Sequence, residues 1–145
     1  MKPVLLLSIA TAAFAAAFIT AAPASAHGVI AIGRPASIAQ QGLAIGYSWN
    51  FPTSADATAD AMKQCSTFKD APDSTRALCK TNADFTGKCL AIAMDPRPGT
   101  EGFGWAVAVK QIDASTTALQ DCKRIDGADN ADACVVQVEQ CDTIN

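Results

Sequence analysis

Hydrophobic positions along this chain follow two regimes. From Val4 to Ala22 they run almost without a break, dominated by Ala, Leu and Phe. Beyond Gly28 they come as short runs and stripes. "IAIG" at Ile30 to Gly33 and "LAIA" at Leu90 to Ala93 are brief, apolar and β-prone. "GYSWNF" and "FGWAVAV" alternate, which sets Tyr47, Trp49 and Phe51 on one face of a strand and Phe103, Trp105, Val107 and Val109 on one face of another. In "TSADATADAMKQC", Ala57, Ala61, Met62 and Cys65 stand at i, i+4, i+5 and i+8, one stripe of an α-helix. Ala114, Ala118, Leu119 and Cys122 repeat that spacing. Thr53 or Ser54 is placed to cap the first helix and Asp113 the second, by accepting hydrogen bonds from first-turn amides. After each helix comes a strand carrying a cysteine, "RALCKTN" and "ACVVQVE".

The same order occurs twice, so each half reads β-β-α-β, about 27–85 and 86–145. The expected fold is α+β: two repeats forming one mostly antiparallel sheet, with Ala57 to Cys65 and Ala114 to Cys122 as helices on one face. Alanines on the helical stripes let each helix sit close to the sheet. The aromatic strips then form the apolar face under the helices, with a binding platform as the alternative.

Composition adds a compartment. Lys2 precedes the long apolar run, and Pro23 and Ala24-Ser25-Ala26 follow it, the form of an export signal cut before His27. The alanine richness and the helix-ending proline favour removal over a retained anchor, and the His at the cut does not indicate lipid attachment. The product, residues 27–145, suits one domain with no stable membrane insertion, exported to the periplasm or outside the cell. Cys65, Cys79, Cys89, Cys122, Cys134 and Cys141 all follow the cut, an even number in an exported chain, so disulfides are expected. Equivalent positions of a duplicated unit should pair alike: Cys65 with Cys79 and Cys122 with Cys134, leaving Cys89 and Cys141 to link the halves. A local Cys79–Cys89 bond is the rival. Zinc would call for closer pairs.

The helix pattern A-x-x-x-A-[LM]-x-x-C in both copies, the strand-borne Cys79 and Cys134, and the "CLAIA" opening at Cys89 resemble the exported bacterial proteins grouped as domain of unknown function 4189. The resemblance covers nearly all of the chain after the cut. Family members often begin with a tryptophan-containing first strand, where this chain has "HGVIAIG". The resemblance implies an exported, cysteine-linked α+β domain and brings no catalytic residue with it.

Charge and chemistry narrow the rest. The net charge is −3 and the basic residues are scattered singly apart from Lys123-Arg124, so no stripe suits nucleic acid. His27 is the one histidine. At a mature amino terminus it could touch copper, but a copper oxygenase needs a second imidazole, and Ser-His-Asp and Cys-His sets face the same shortage. No metal or other cofactor is expected. Asp126, Asp129 and Asp132 lack the alternation and closing Glu of a calcium loop and read as a solvated turn. The loops "RPASIAQQG" and "DPRPGTEG" each carry an Arg-Pro pair; Arg34, Pro35, Arg97, Pro98 and Glu101 are the candidate contact residues for another protein or an envelope component. The expected role is a non-catalytic binding or inhibitor-like module. The alternatives are a secreted hydrolase using acidic residues, which requires a deep pocket with two carboxylates, and a structural envelope protein.

Overall fold

The computed structural model describes residues 26–142; the apolar run Val4 to Ala22 and most of the cleavage motif lie outside the described residues. Six strands and four helices follow one another: β1 His27–Gly33, α1 Ile38–Gln41, β2 Ala44–Phe51, α2 Ser54–Ser66, α3 Asp73–Arg76, β3 Lys80–Thr86, β4 Cys89–Met94, β5 Phe103–Ala108, α4 Gln111–Asp126 and β6 Val135–Cys141, the last preceded by a 3-10 turn at Ala131–Ala133. Thr53 caps α2, its side chain accepting from the Asp56 N–H. Asp113 does not cap α4; Lys110 holds the cap position and Asp113 lies in the first turn, where its charge favours the helix dipole.

The strands form two sheets rather than one. Each is three-stranded and antiparallel, ordered β2-β1-β3 and β5-β4-β6. The sheets lie face to face. Ile30, Ile32, Ile45 and Phe85 of the first meet Leu90, Ile92 and Phe103 of the second in one buried cluster. Each sheet turns its other face to its own helix: Val29, Ala31 and Ala44 pack under Ala57, Ala61 and Cys65 of α2, and Ala91, Ala93 and Ala106 under Ala114, Ala118 and Cys122 of α4. The layers therefore run helix, sheet, sheet, helix, and the helices cover opposite outer faces instead of one.

Side-chain size explains the arrangement. Along β1 and β4 large residues alternate with small ones, and both faces are buried. The large set fills the space between sheets, at roughly 1.5–3 kcal/mol per buried aliphatic or aromatic side chain. The small set allows helix approach. Gly46 and Gly104 carry this furthest: a Cβ would stand 1.9 Å from the Ala61 carbonyl oxygen at the first and 2.2 Å from that of Ala118 at the second. The aromatic strips are divided accordingly. Tyr47, Trp105 and Val107 pack against the inter-sheet core, not beneath the helices. Phe51 lies on the α2 side, after Asn50 takes a left-handed φ of 59° and a register shift enters the β1–β2 ladder. Val109 is exposed.

The two copies share their strand registers, with the first strand offset from a direct match of "IAIG" to "LAIA". Ala31 opposes Gly46 as Ala93 opposes Gly104, and Ile32 opposes Lys80 as Met94 opposes Val135. Ile30 is thus the counterpart of Ile92, two positions from the pairing of "IAIG" with "LAIA". Both outer ladders shift register at the same place, Ile30/Ala31 and Ile92/Ala93.

The cysteines pair as Cys65–Cys79, Cys122–Cys134 and Cys89–Cys141. The first two tie each helix to the residue just ahead of its last strand: Cys79 and Cys134 precede β3 and β6 instead of lying on them. Cys89 comes just after β3 but opens β4 and bonds across the ladder to Cys141, the last residue of β6, so this bond lies within the second sheet instead of linking the halves. In the first sheet the matching cross-strand pair is His27 and Thr86, whose Nδ1 and Oγ1 are 3.2 Å apart.

Candidate binding face

The loops after β1 and β4 meet at one end of the sandwich. The second, 95–102, is closed by the Asp95 N–H donating to the Gly102 carbonyl at 3.0 Å. Its Glu101 reaches the first loop, accepting from the Ser37 hydroxyl at 2.5 Å and from the Ile38 and Ala39 N–H groups at 2.9 and 3.2 Å. A carboxylate from one copy thus caps the short helix α1 of the other. These donors, the Ser37 hydroxyl first, hold the Glu101 carboxyl below its usual range.

Asp95 anchors the second loop. Its side chain is fully buried, while that of Arg97 is 51% exposed. Arg97 donates from Nε to both Asp95 oxygens at 3.0 Å and from Nη2 to Oδ2 at 2.5 Å, and its backbone N–H reaches Oδ1 at 2.9 Å. Nη2 also donates to Asn130 Oδ1 at 3.0 Å. The side-chain bond from Arg97 is the main reason that the Asp95 carboxyl is lowered to about 2. Behind it sits Asp126, the last residue of α4, both carboxyl oxygens buried against Asp95 and Gly102. Its carboxyl carbon lies 2.7 Å from where a Gly102 Cβ would stand, so only glycine leaves it room. Burial first, then the neighbouring Asp95, pushes its carboxyl up. A charge at a helix C-terminus is disfavoured in addition. Asp126 is therefore not part of a solvated turn, although Asp129 and Asp132 are exposed.

Two grooves flank Phe103. One, of about 450 Å³, runs between the two loops, past Ile38, Leu43, Met94, Pro96 and Pro98, with the exposed Asp70 at its rim. The other, also of about 450 Å³, opens between β3 and β5 beside Arg34, Pro35, Lys80 and Trp105. Of the candidate contact residues, Arg34 and Pro98 are exposed and Pro35 is buried; Arg97 and Glu101 are held by the bonds just described. Lys80, Asn82 and Trp105 were not singled out together by the sequence, because only the stacking of β3 over β5 joins them.

The opposite end holds His27. Asp142 there accepts the Asn50 N–H at 2.6 Å through Oδ1, keeps Oδ2 buried without a partner, and is raised chiefly by burial. Along the outer strands an acid bonds to the start of the covering helix in both copies: Asp84 accepts from Ser54, and Glu139 from Ser115 and, at 2.8 Å, from Gln111. Among the described residues no three His, Cys, Asp or Glu side chains gather to hold a metal ion, and no helix is long and apolar enough to cross a membrane.

The family model described as "Domain of unknown function (DUF4189)" matches residues 27–141. The chain belongs to that family. The match begins at the first residue of β1 and ends at the last of β6, so the family unit is the whole double sandwich, both copies included. No curated protein and no solved structure matches the chain.

Proposed function

We propose that this DUF4189 chain is an exported, non-catalytic recognition domain whose contact face is the loop end, and that it meets another protein or an envelope component there. The observation that carries this reading is the fate of the acids. Asp95 is sealed by Arg97, Asp126 is buried behind it, and Glu101 is occupied by α1, so the loops present prolines, aliphatic side chains and backbone instead of a free carboxylate pair. Three disulfides support an oxidising destination and a rigid presentation of the loops.

The test is capture of periplasmic and extracellular proteins on the immobilised wild-type protein and on a Pro96→Asp/Pro98→Asp variant shown to unfold at the same urea concentration. Species retained by the wild type and lost from the variant support the reading. Identical capture by both overturns it, as does turnover of a glycan or ester panel that Asp95→Asn abolishes, which is the outcome a hydrolase requires.

A further inference from the structure

We propose that the groove between β3 and β5 binds an acidic saccharide, a sugar ring bearing a carboxylate. This rests on the recognition reading, to which it adds a ligand class and a second groove. Its volume of about 450 Å³ falls among small-ligand sites.

Charge is the first argument. Arg34 and Lys80 line one groove of a chain whose net charge is −3, and among the described residues neither is in an ion pair. Glu101, which feels the Arg34 charge, is already taken up by α1. Divergence between the copies is the second. Lys80 opposes Ile32 where its counterpart Val135 opposes Met94, so the fold accepts an aliphatic residue at that place and does not itself demand a cation. A lysine on an edge strand also discourages strand addition, but that task calls for neither Arg34 nor Trp105 in the same groove.

Shape is the third. Phe103 closes the groove at its base, the indole of Trp105 is partly open, and Leu78 is 48% exposed, so the groove offers one flat aromatic surface beside an aliphatic one. Around them stand a guanidinium, an ammonium and the Asn82 amide, an assembly rich in donors. A sugar matches both features: its C–H face packs on the indole, its hydroxyl oxygens accept from Asn82, and its carboxylate takes paired hydrogen bonds from Arg34.

The experiment uses protein expressed from the full chain with its disulfides intact. It is titrated by calorimetry with trigalacturonate and with neutral maltotriose, and by fluorescence in a Trp49→Phe background so that Trp105 reports. The uronate should bind saturably, at least about tenfold more tightly than maltotriose, and more weakly as salt rises. Arg34→Glu/Lys80→Glu should lower its affinity by at least about tenfold at an unchanged urea midpoint, and Trp105→Phe, which keeps an aromatic ring in the seam, by roughly threefold or more. No saturation by about 10 mM uronate, equal affinity for the neutral sugar, or indifference to the charge reversal would overturn the proposal. So would tighter binding of a Glu-rich hexapeptide in the same groove. The two readings fail separately: capture that depends on Pro96 and Pro98 while uronate binding is absent removes only the saccharide, and the reverse pattern removes only the protein contact.

Discussion

Replacing Gly46 with alanine attacks the closest approach in the fold. The added Cβ would lie 1.9 Å from the Ala61 carbonyl oxygen, 2.5 Å from the Cys65 nitrogen and 2.9 Å from the Gln64 Cβ. Two of these three are backbone atoms, which no rotamer change can move. An ordinary carbon–oxygen contact is a little over 3 Å, so α2 must rise by roughly 1 Å. The seam between helix and sheet is made of Ala57 and Ala61 on α2 and Val29, Ala31 and Ala44 on the strands, none of them exposed and none flexible enough to fill the gap. A gap of that size forfeits about a quarter to a half of each dispersion contact, and overpacking of this kind costs about 1–3 kcal/mol or somewhat more. Taking about 2–4 kcal/mol against the stability of a typical domain, about 5–15 kcal/mol, the variant should fold but lose a large part of its margin.

The control is Gly87→Ala, where nothing lies within 4 Å and only the positive φ of 61° resists a side chain, at about 1–2 kcal/mol. Urea unfolding of both variants under oxidising conditions, followed by tryptophan fluorescence, gives the comparison. A cost for Gly46→Ala within about 0.5 kcal/mol of zero, or no greater than that of Gly87→Ala, would refute the close-packed helix layer.

The remaining predictions concern the staples and the acids. Removing Cys89–Cys141, which closes 52 residues, should cost about 4 kcal/mol, against about 3 for Cys122–Cys134, which closes 12; the order of denaturant midpoints for the two double-alanine variants checks this. Glu101→Gln should cost about 1–2 kcal/mol, because three donors lose a charged acceptor, and the loss should show as faster amide exchange at Ile38 and Ala39. Asp126→Asn should stabilise the protein at neutral pH and not in acid: the raised folded carboxyl costs stability as pH climbs from the ordinary carboxylate range through its own higher value. Asp95 acts in the opposite sense, its contribution being whole above about pH 4 and lost as pH falls toward about 2, so Asp95→Asn should lose stability at neutral pH and flatten the acid limb of a melting-temperature profile.

Elements, duplication and cysteine positions were legible in the sequence because they follow from local rules. Period 3.6 marked the Ala57 and Ala114 stripes, period 2 marked "GYSWNF" and "FGWAVAV", and the repeated order of elements confined the choice of bridges. The alternation of Ile30 and Ile32 with Val29 and Ala31, and of Leu90 and Ile92 with Ala91 and Ala93, also held a clue to layering, since a large-and-small alternation with no polar face belongs to a strand buried on both sides. Polarity alone hid it, because every one of those residues is apolar.

Tertiary structure decided the number of sheets, the partners of the loops and the fate of the acids. Whether two β-β-α-β units extend one sheet or stack as two depends on how volumes fit across the gap, which no single strand encodes; Phe85, Leu90 and Phe103 fill that gap only when the halves face each other. Asp95 and Asp126 stand 31 positions apart in the chain, and Ser37 and Glu101 stand 64 apart. Their meeting comes from how the chain folds back on itself, and the charges they settle there could not be read from either one alone.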